Sequence, residues 1–114
     1  MPDKSVEFSL DIARNGSKAI VRCHGKLVAG LDNVFYRDVK QLLPQYKCVV
    51  LDLTDVTRMD SMGLGALVRL YVSARSAGCS LELVNLSKQV KMLLKTANLL
   101  SAFSTVCEYN IKMG

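Results

Sequence analysis

Six consecutive residues, Cys48-Val49-Val50-Leu51-Asp52-Leu53, restrict the possible folds of this chain more than any others. Their almost unbroken apolar character and β-branched content read as a buried central strand of a parallel sheet covered by helices. Shortly after it, Arg58-Met59-Asp60-Ser61-Met62-Gly63-Leu64-Gly65 opens a segment whose apolar positions repeat with helical spacing. Strand, tight turn and helix start is the arrangement in which α/β proteins place their sites. Ser61 falls where a helix cap is expected, with its oxygen able to accept from free backbone N–H groups. Gly63 and Gly65 leave the first turn open to a partner's approach.

The flanking segments supply the other layers. Val6 to Ala13 alternates, Val6, Phe8, Leu10 and Ile12 on one face and Ser5, Glu7, Ser9 and Asp11 on the other, as a half-buried strand does. Asn15-Gly16 signals a hairpin into a returning strand at Ala19 to Cys23, with His24 at its end as a surface or hydrogen-bonded residue. A helix beginning near Asp32 carries Val34, Phe35, Val39, Leu42 and Leu43, and Pro44 ends it. The helix after Ser61 shows an apolar stripe at Leu64, Leu67, Val68, Tyr71 and Val72 and stops at Ala77-Gly78.

Ser80 to Leu86 is a further strand. Ser87 caps a helix with Val90, Leu93, Leu94 and Ala97 inward and Lys88, Lys91 and Lys95 outward. Asn98 to Ala102 reads as a loop, Phe103 to Val106 as a short edge strand, and Cys107 to Met113 as a tail. The expected fold is one α/β domain over residues 1–114, core about 6–106, with order ββαβαβα. Its mixed sheet has four to five strands, an N-terminal antiparallel hairpin, and helices mainly on one face.

Several function classes fall away. A chain of 114 residues, half of them apolar, holds one sizeable core. No apolar run reaches the roughly 20 residues that span a bilayer, and Met1-Pro2-Asp3-Lys4 does not begin a secretory signal, so a cytoplasmic protein without membrane insertion is expected. Cys23, Cys48, Cys79 and Cys107 form no Cys-x-x-Cys pair, and the lone His24 completes no metal set; reduced thiols, no metal and no cofactor are expected. The net charge of +5 is spread without a basic run or interleaved aromatics, which argues against nucleic acid and suits an acidic protein partner. Ser61 has no Gly-x-Ser-x-Gly elbow around it, and nothing marks a base for it, so an enzyme is not expected.

Leu51-Asp52-Leu53-Thr54-Asp55-Val56 leading into Met59-Asp60-Ser61-Met62-Gly63-Leu64-Gly65 resembles the STAS domain of bacterial anti-sigma factor antagonists. Gly25-Lys26-Leu27 with Gly30-Leu31-Asp32, and Leu81-Glu82-Leu83-Val84-Asn85-Leu86, resemble that family's loop before the first helix and its later strand. The resemblance implies the same mixed-sheet fold. It also implies a serine, here Ser61, phosphorylated by an anti-sigma factor that is also a kinase, and a serine phosphatase that resets it. The family's second hydroxyl is replaced by Met62.

On that basis Asp32, Arg58, Asp60, Ser61, Met62, Gly63 and Leu64 are the candidate partner-binding residues, with Ser61 the phosphoacceptor and the chain a monomer or weak homodimer. As a bare cap, Ser61 would be worth about 0.5–2 kcal/mol against alanine. The alternative function is a STAS module without a phosphate cycle, as in a stressosome or a lipid-transport complex.

Overall fold

The computed structural model describes residues 8–98. They comprise β1 (Phe8–Asn15), β2 (Lys18–Leu27), α1 (Asp32–Lys40), β3 (Cys48–Met59), α2 (Ser61–Ala77), β4 (Ser80–Val84) and α3 (Lys88–Thr96), with a 3-10 turn at Leu43–Gln45 after α1. This is the order ββαβαβα. The strands form one sheet in the order β1-β2-β3-β4; β1 pairs antiparallel with β2, while β2–β3 and β3–β4 are parallel. Expectations for Val6, for the segment after Asn98 and for a fifth strand at Phe103 to Val106 lie outside the described residues.

The hairpin closes over Gly16 and Ser17 rather than over Asn15 and Gly16, because Asn15 still pairs with Lys18. Gly16 takes φ +63° at the first loop position, where other residues are strained. One face of the sheet carries Ala19, Val21 and Cys23 of β2, Val49, Leu51 and Leu53 of β3, and Leu81 and Leu83 of β4, all buried. Phe35 and Val39 of α1, Leu67 and Leu70 of α2, and Val90 and Leu94 of α3 join the same cluster, so the three helices share one side. The opposite face mixes Ile20, Val50 and Val84 with polar residues. There His24 bridges Asp11 and Asp55 at 2.9 and 3.0 Å, and Arg22 reaches Asp55 at 3.2 Å.

Three local departures from expectation have clear causes. β3 runs to Met59, not Leu53, because its pairing with β2 shifts register between Arg22 and His24 and again between Gly25 and Lys26. Each bulge breaks the period of two, leaving Leu53, Val56 and Met59 buried three apart, a spacing that does not read as a strand. α1 ends at Lys40, and Leu42 and Leu43 are buried from the turn around Pro44 rather than from the helix; Val34 is exposed. α2 buries Gly63, Ala66, Leu67, Leu70 and Ala74, while Val72 is 57% exposed. Its contact face is thus rotated from the expected stripe, because small residues let the helix sit close to its neighbours and bulkier apolar ones lie at the margins.

α2 ends as expected at Gly78, whose φ of +72° gives the left-handed cap that donates to Ala74 and Arg75 carbonyls. Ser87 caps α3, its Oγ accepting from the Val90 N–H at 3.2 Å. Lys88, Lys91 and Lys95 point outward. The sheet and its two bulges therefore deliver the end of β3 and the start of α2 as a fixed corner.

Candidate functional site

The corner is built on Asp60, and here the expected cap is corrected. Asp60, with extended backbone, is the N-cap of α2, and Ser61 is the first helical residue. Asp60 Oδ1 accepts from the Met62 and Gly63 N–H groups at 3.0 and 3.1 Å. Its Oδ2 accepts from the Ala29 N–H at 3.0 Å, tying the loop between β2 and α1 to the same corner. A carboxylate reaches two N–H groups with one oxygen and a third with the other, which a serine hydroxyl at the cap would not do. These donors, led by Ala29 and then Gly63, hold the Asp60 carboxyl below its ordinary pKa of 3.8.

Gly63 is fixed by close approach. A Cβ there would stand 2.1 Å from the Leu27 carbonyl oxygen, and Leu27 also accepts from the Asp60 N–H at 3.4 Å. The helix start is therefore pressed against the end of β2. Gly65 has nothing within 4 Å of its would-be Cβ. It faces the cleft beside Ser61.

Because Asp60 does the capping, the Ser61 hydroxyl is left without a hydrogen-bond partner among the described residues, and Ser61 is exposed. Ser61, Gly65 and Arg69 follow one another at intervals of four on one helical face. With Asp32 and Met62 they line an open cleft of about 380 Å³. Asp32 is 3% exposed; its Oδ1 accepts from the Gly30 N–H at 3.1 Å and its Oδ2 lies 3.7 Å from Arg69. Arg69 stacks 4.5 Å over the Tyr36 ring, whose hydroxyl meets Ser73 at 3.1 Å, so α1 and α2 are stitched together along the cleft wall.

The candidate residues therefore separate into groups. Asp32, Ser61 and Met62 share the cleft, Met62 being 50% exposed. Arg58 and Asp60 line a second depression on another side of the turn, with Lys26, Val28 and Ala29. Gly63 is buried, and Leu64 packs partly buried against the core while its N–H donates to the Asp60 carbonyl at 3.0 Å. Sequence reasoning missed Arg69 and Lys26. The spacing of 61, 65 and 69 was a signal for Arg69; Lys26 joins Arg58 only through the pairing of β2 with β3, which no local pattern displays.

Among the described residues no group of His, Cys, Asp and Glu is arranged to hold a metal ion, and no helix is long and apolar enough to cross a membrane. The STAS domain family model matches residues 9–111. Solved structures share the fold. An anti-sigma factor antagonist from Mycobacterium paratuberculosis is similar with TM-score 0.75 and 14% identity, over 84% of this chain and 82% of that one. The Bacillus cell fate determinant SpoIIAA in its phosphorylated form gives TM-score 0.67 and 12% identity, over 83% and 87%. The murine anion transporter Slc26a9 gives 0.65 and 23%, over 74% of this chain and 14% of the transporter.

Proposed function

This chain belongs to the STAS domain family, and from that premise we propose that it is an anti-sigma factor antagonist switched by phosphorylation of Ser61. Unmodified, the Ser61 turn and the exposed first turn of α2 dock on an anti-sigma factor and release the sigma factor it held. The observation that carries this reading is the free, exposed Ser61 hydroxyl on a corner whose capping is done by Asp60. The bound kinase supplies nucleotide, Mg²⁺ and base, so this chain acts as ligand and substrate. Asp32, Arg58, Met62 and Leu64 border the contact, while Asp60 and Gly63 hold its shape. A serine phosphatase closes the cycle.

Phosphorylation adds about −1.5 to −2 charges at pH 7. At the first residue of a helix that charge faces the positive end of the dipole while Asp60 keeps the cap, so the domain keeps its fold. The fold shared with the phosphorylated form of SpoIIAA supports that expectation. The penalty falls on the interface; about 3 kcal/mol of lost binding is on the order of 100-fold in affinity.

The test is incubation with a candidate anti-sigma kinase and ATP, followed by mass mapping of the phosphate. One phosphate on Ser61 is expected. Ser61→Asp should weaken the complex and Ser61→Ala should bind constitutively; if both bind as wild type does, there is no switch. Met62, apolar and half-exposed beside Ser61, favours a second reading, a constitutive interaction module. Partner binding with no phosphate transfer from any bound kinase selects it.

A further inference from the structure

We propose that Lys26 and Arg58 form a docking site for an acidic segment of the anti-sigma partner and steer that segment onto the Ser61 turn. The inference rests on the reading above that such a partner exists. The register of β2 with β3 sets Lys26 directly beside Arg58, both exposed, although the two lie 32 positions apart in the chain. With Val28, Ala29 and Asp60 they line a depression of about 310 Å³. The Asp60 carboxylate there offsets one of the two charges, but it pairs directly with neither, since its oxygens accept from the backbone N–H groups of Ala29, Met62 and Gly63. Neither Lys26 nor Arg58 forms an ion pair among the described residues.

The fold gains nothing from this placement. Neighbouring strands lie about 4.8 Å apart, so like charges side by side on them repel. Arg22 is matched by Asp55 and Arg69 by Asp32, whereas this adjacent pair has no such partner among the described residues. Two cations against one carboxylate, in a concavity that also exposes Val28 and Ala29, fit carboxylates on a protein segment, with apolar stems against the floor. A nucleic-acid backbone needs a longer track of cations than one pair. The placement also gives the phosphate switch its sign. A phosphoryl group on Ser61, on the other side of the same turn, lowers the positive potential of the pair and repels the carboxylates it attracts.

Association of the full chain with the kinase that modifies Ser61 tests this, followed from about 0.05 to about 0.5 M salt, where screening grows steeply. Lys26→Gln/Arg58→Gln should slow association about tenfold at low salt and flatten its salt dependence. The dissociation rate should change by less than about twofold. Lys26→Arg/Arg58→Lys should retain the wild-type rate. The glutamine variant should melt no lower than wild type, because a repulsion has been removed. A double variant that associates like a binding-competent wild type, with the same salt slope, overturns the role of the pair alone. Wild-type protein that binds a single-stranded oligonucleotide more tightly than the kinase also overturns it. A wild-type chain that neither binds nor is phosphorylated by an anti-sigma kinase overturns the functional reading as well.

Discussion

Two glycines in the first turns of α2 should respond to alanine with opposite signs. At Gly63 the added methyl would sit 2.1 Å from the Leu27 carbonyl oxygen and 2.9 Å from the Leu27 Cγ. Moving from 2.1 Å to the 3.0 Å that real Cβ atoms respect requires the helix start to retreat by about 0.9 Å. The obstacle is backbone, so no rotamer change relieves it. Retreat stretches the Asp60 N–H bond to Leu27, already 3.4 Å, and pulls Asp60 from Ala29.

Overpacking of this kind costs about 3 kcal/mol, which for a domain of this size lowers the melting temperature by about 12 °C. Gly65→Ala meets empty space and gains helix propensity, so it should stabilise by about 0.5–1 kcal/mol. Urea denaturation of both variants, with unchanged m-values, measures the pair. Equal effects, or a Gly63→Ala midpoint within error of wild type, would refute the claim that the corner is closed by contact between α2 and β2.

Acid should loosen the same corner. The folded Asp60 pKa lies below 3.8, so its bonds contribute fully above the unfolded value and are lost as pH falls through the folded one. The stability gap between wild type and Asp60→Ala, measured by urea titration, should therefore be constant near neutrality and shrink below about pH 4. The thiols offer a probe of opening. Burial, and then the negative charge of Asp52, push Cys23 up to about 12, and burial with Glu82 raises Cys48 to about 11. Iodoacetamide at pH 8 with peptide mass mapping should label half-buried Cys48 before Cys23, and Cys23 only at the rate of unfolding. Labelling of Cys23 in the native protein at the rate of a free thiol would contradict the packing of β2.

Much of the fold was legible because its signals are local. Ser87 before a helix, Ala77-Gly78 after one, and the apolar run from Cys48 each state their element without help from distant residues. The second half of β3 was not, because bulges opposite Gly25 convert a period of two into one of three. The contact face of α2 was also misread. Apolar residues surround that helix, and which of them are buried depends on how close Gly63 and Ala66 let it approach. At the site, Ser61 and Asp60 were visible in the turn, but their tasks were not distinguished. Asp and Ser are both good cap residues, so the local pattern does not choose between them; the structure gives the Met62 and Gly63 N–H groups to Asp60.

The exchange of tasks between Asp60 and Ser61 matters for regulation. A serine that caps its own helix is poorly suited to be a switch, since a modified oxygen no longer accepts from the N–H groups as the hydroxyl did, and folding and signalling become coupled. Here the cap is a carboxylate that serves three backbone donors, and the adjacent hydroxyl carries no structural duty. Its loss should cost little. Ser61→Ala should unfold within about 0.5 kcal/mol of wild type, as expected for a surface position outside any cap or core. Asp60→Ala should lower the midpoint clearly in the same urea titration. If Ser61→Ala proved the more damaging of the two, the hydroxyl would be part of the scaffold, and a phosphate placed on it would act by disturbing the fold instead of by repelling a partner.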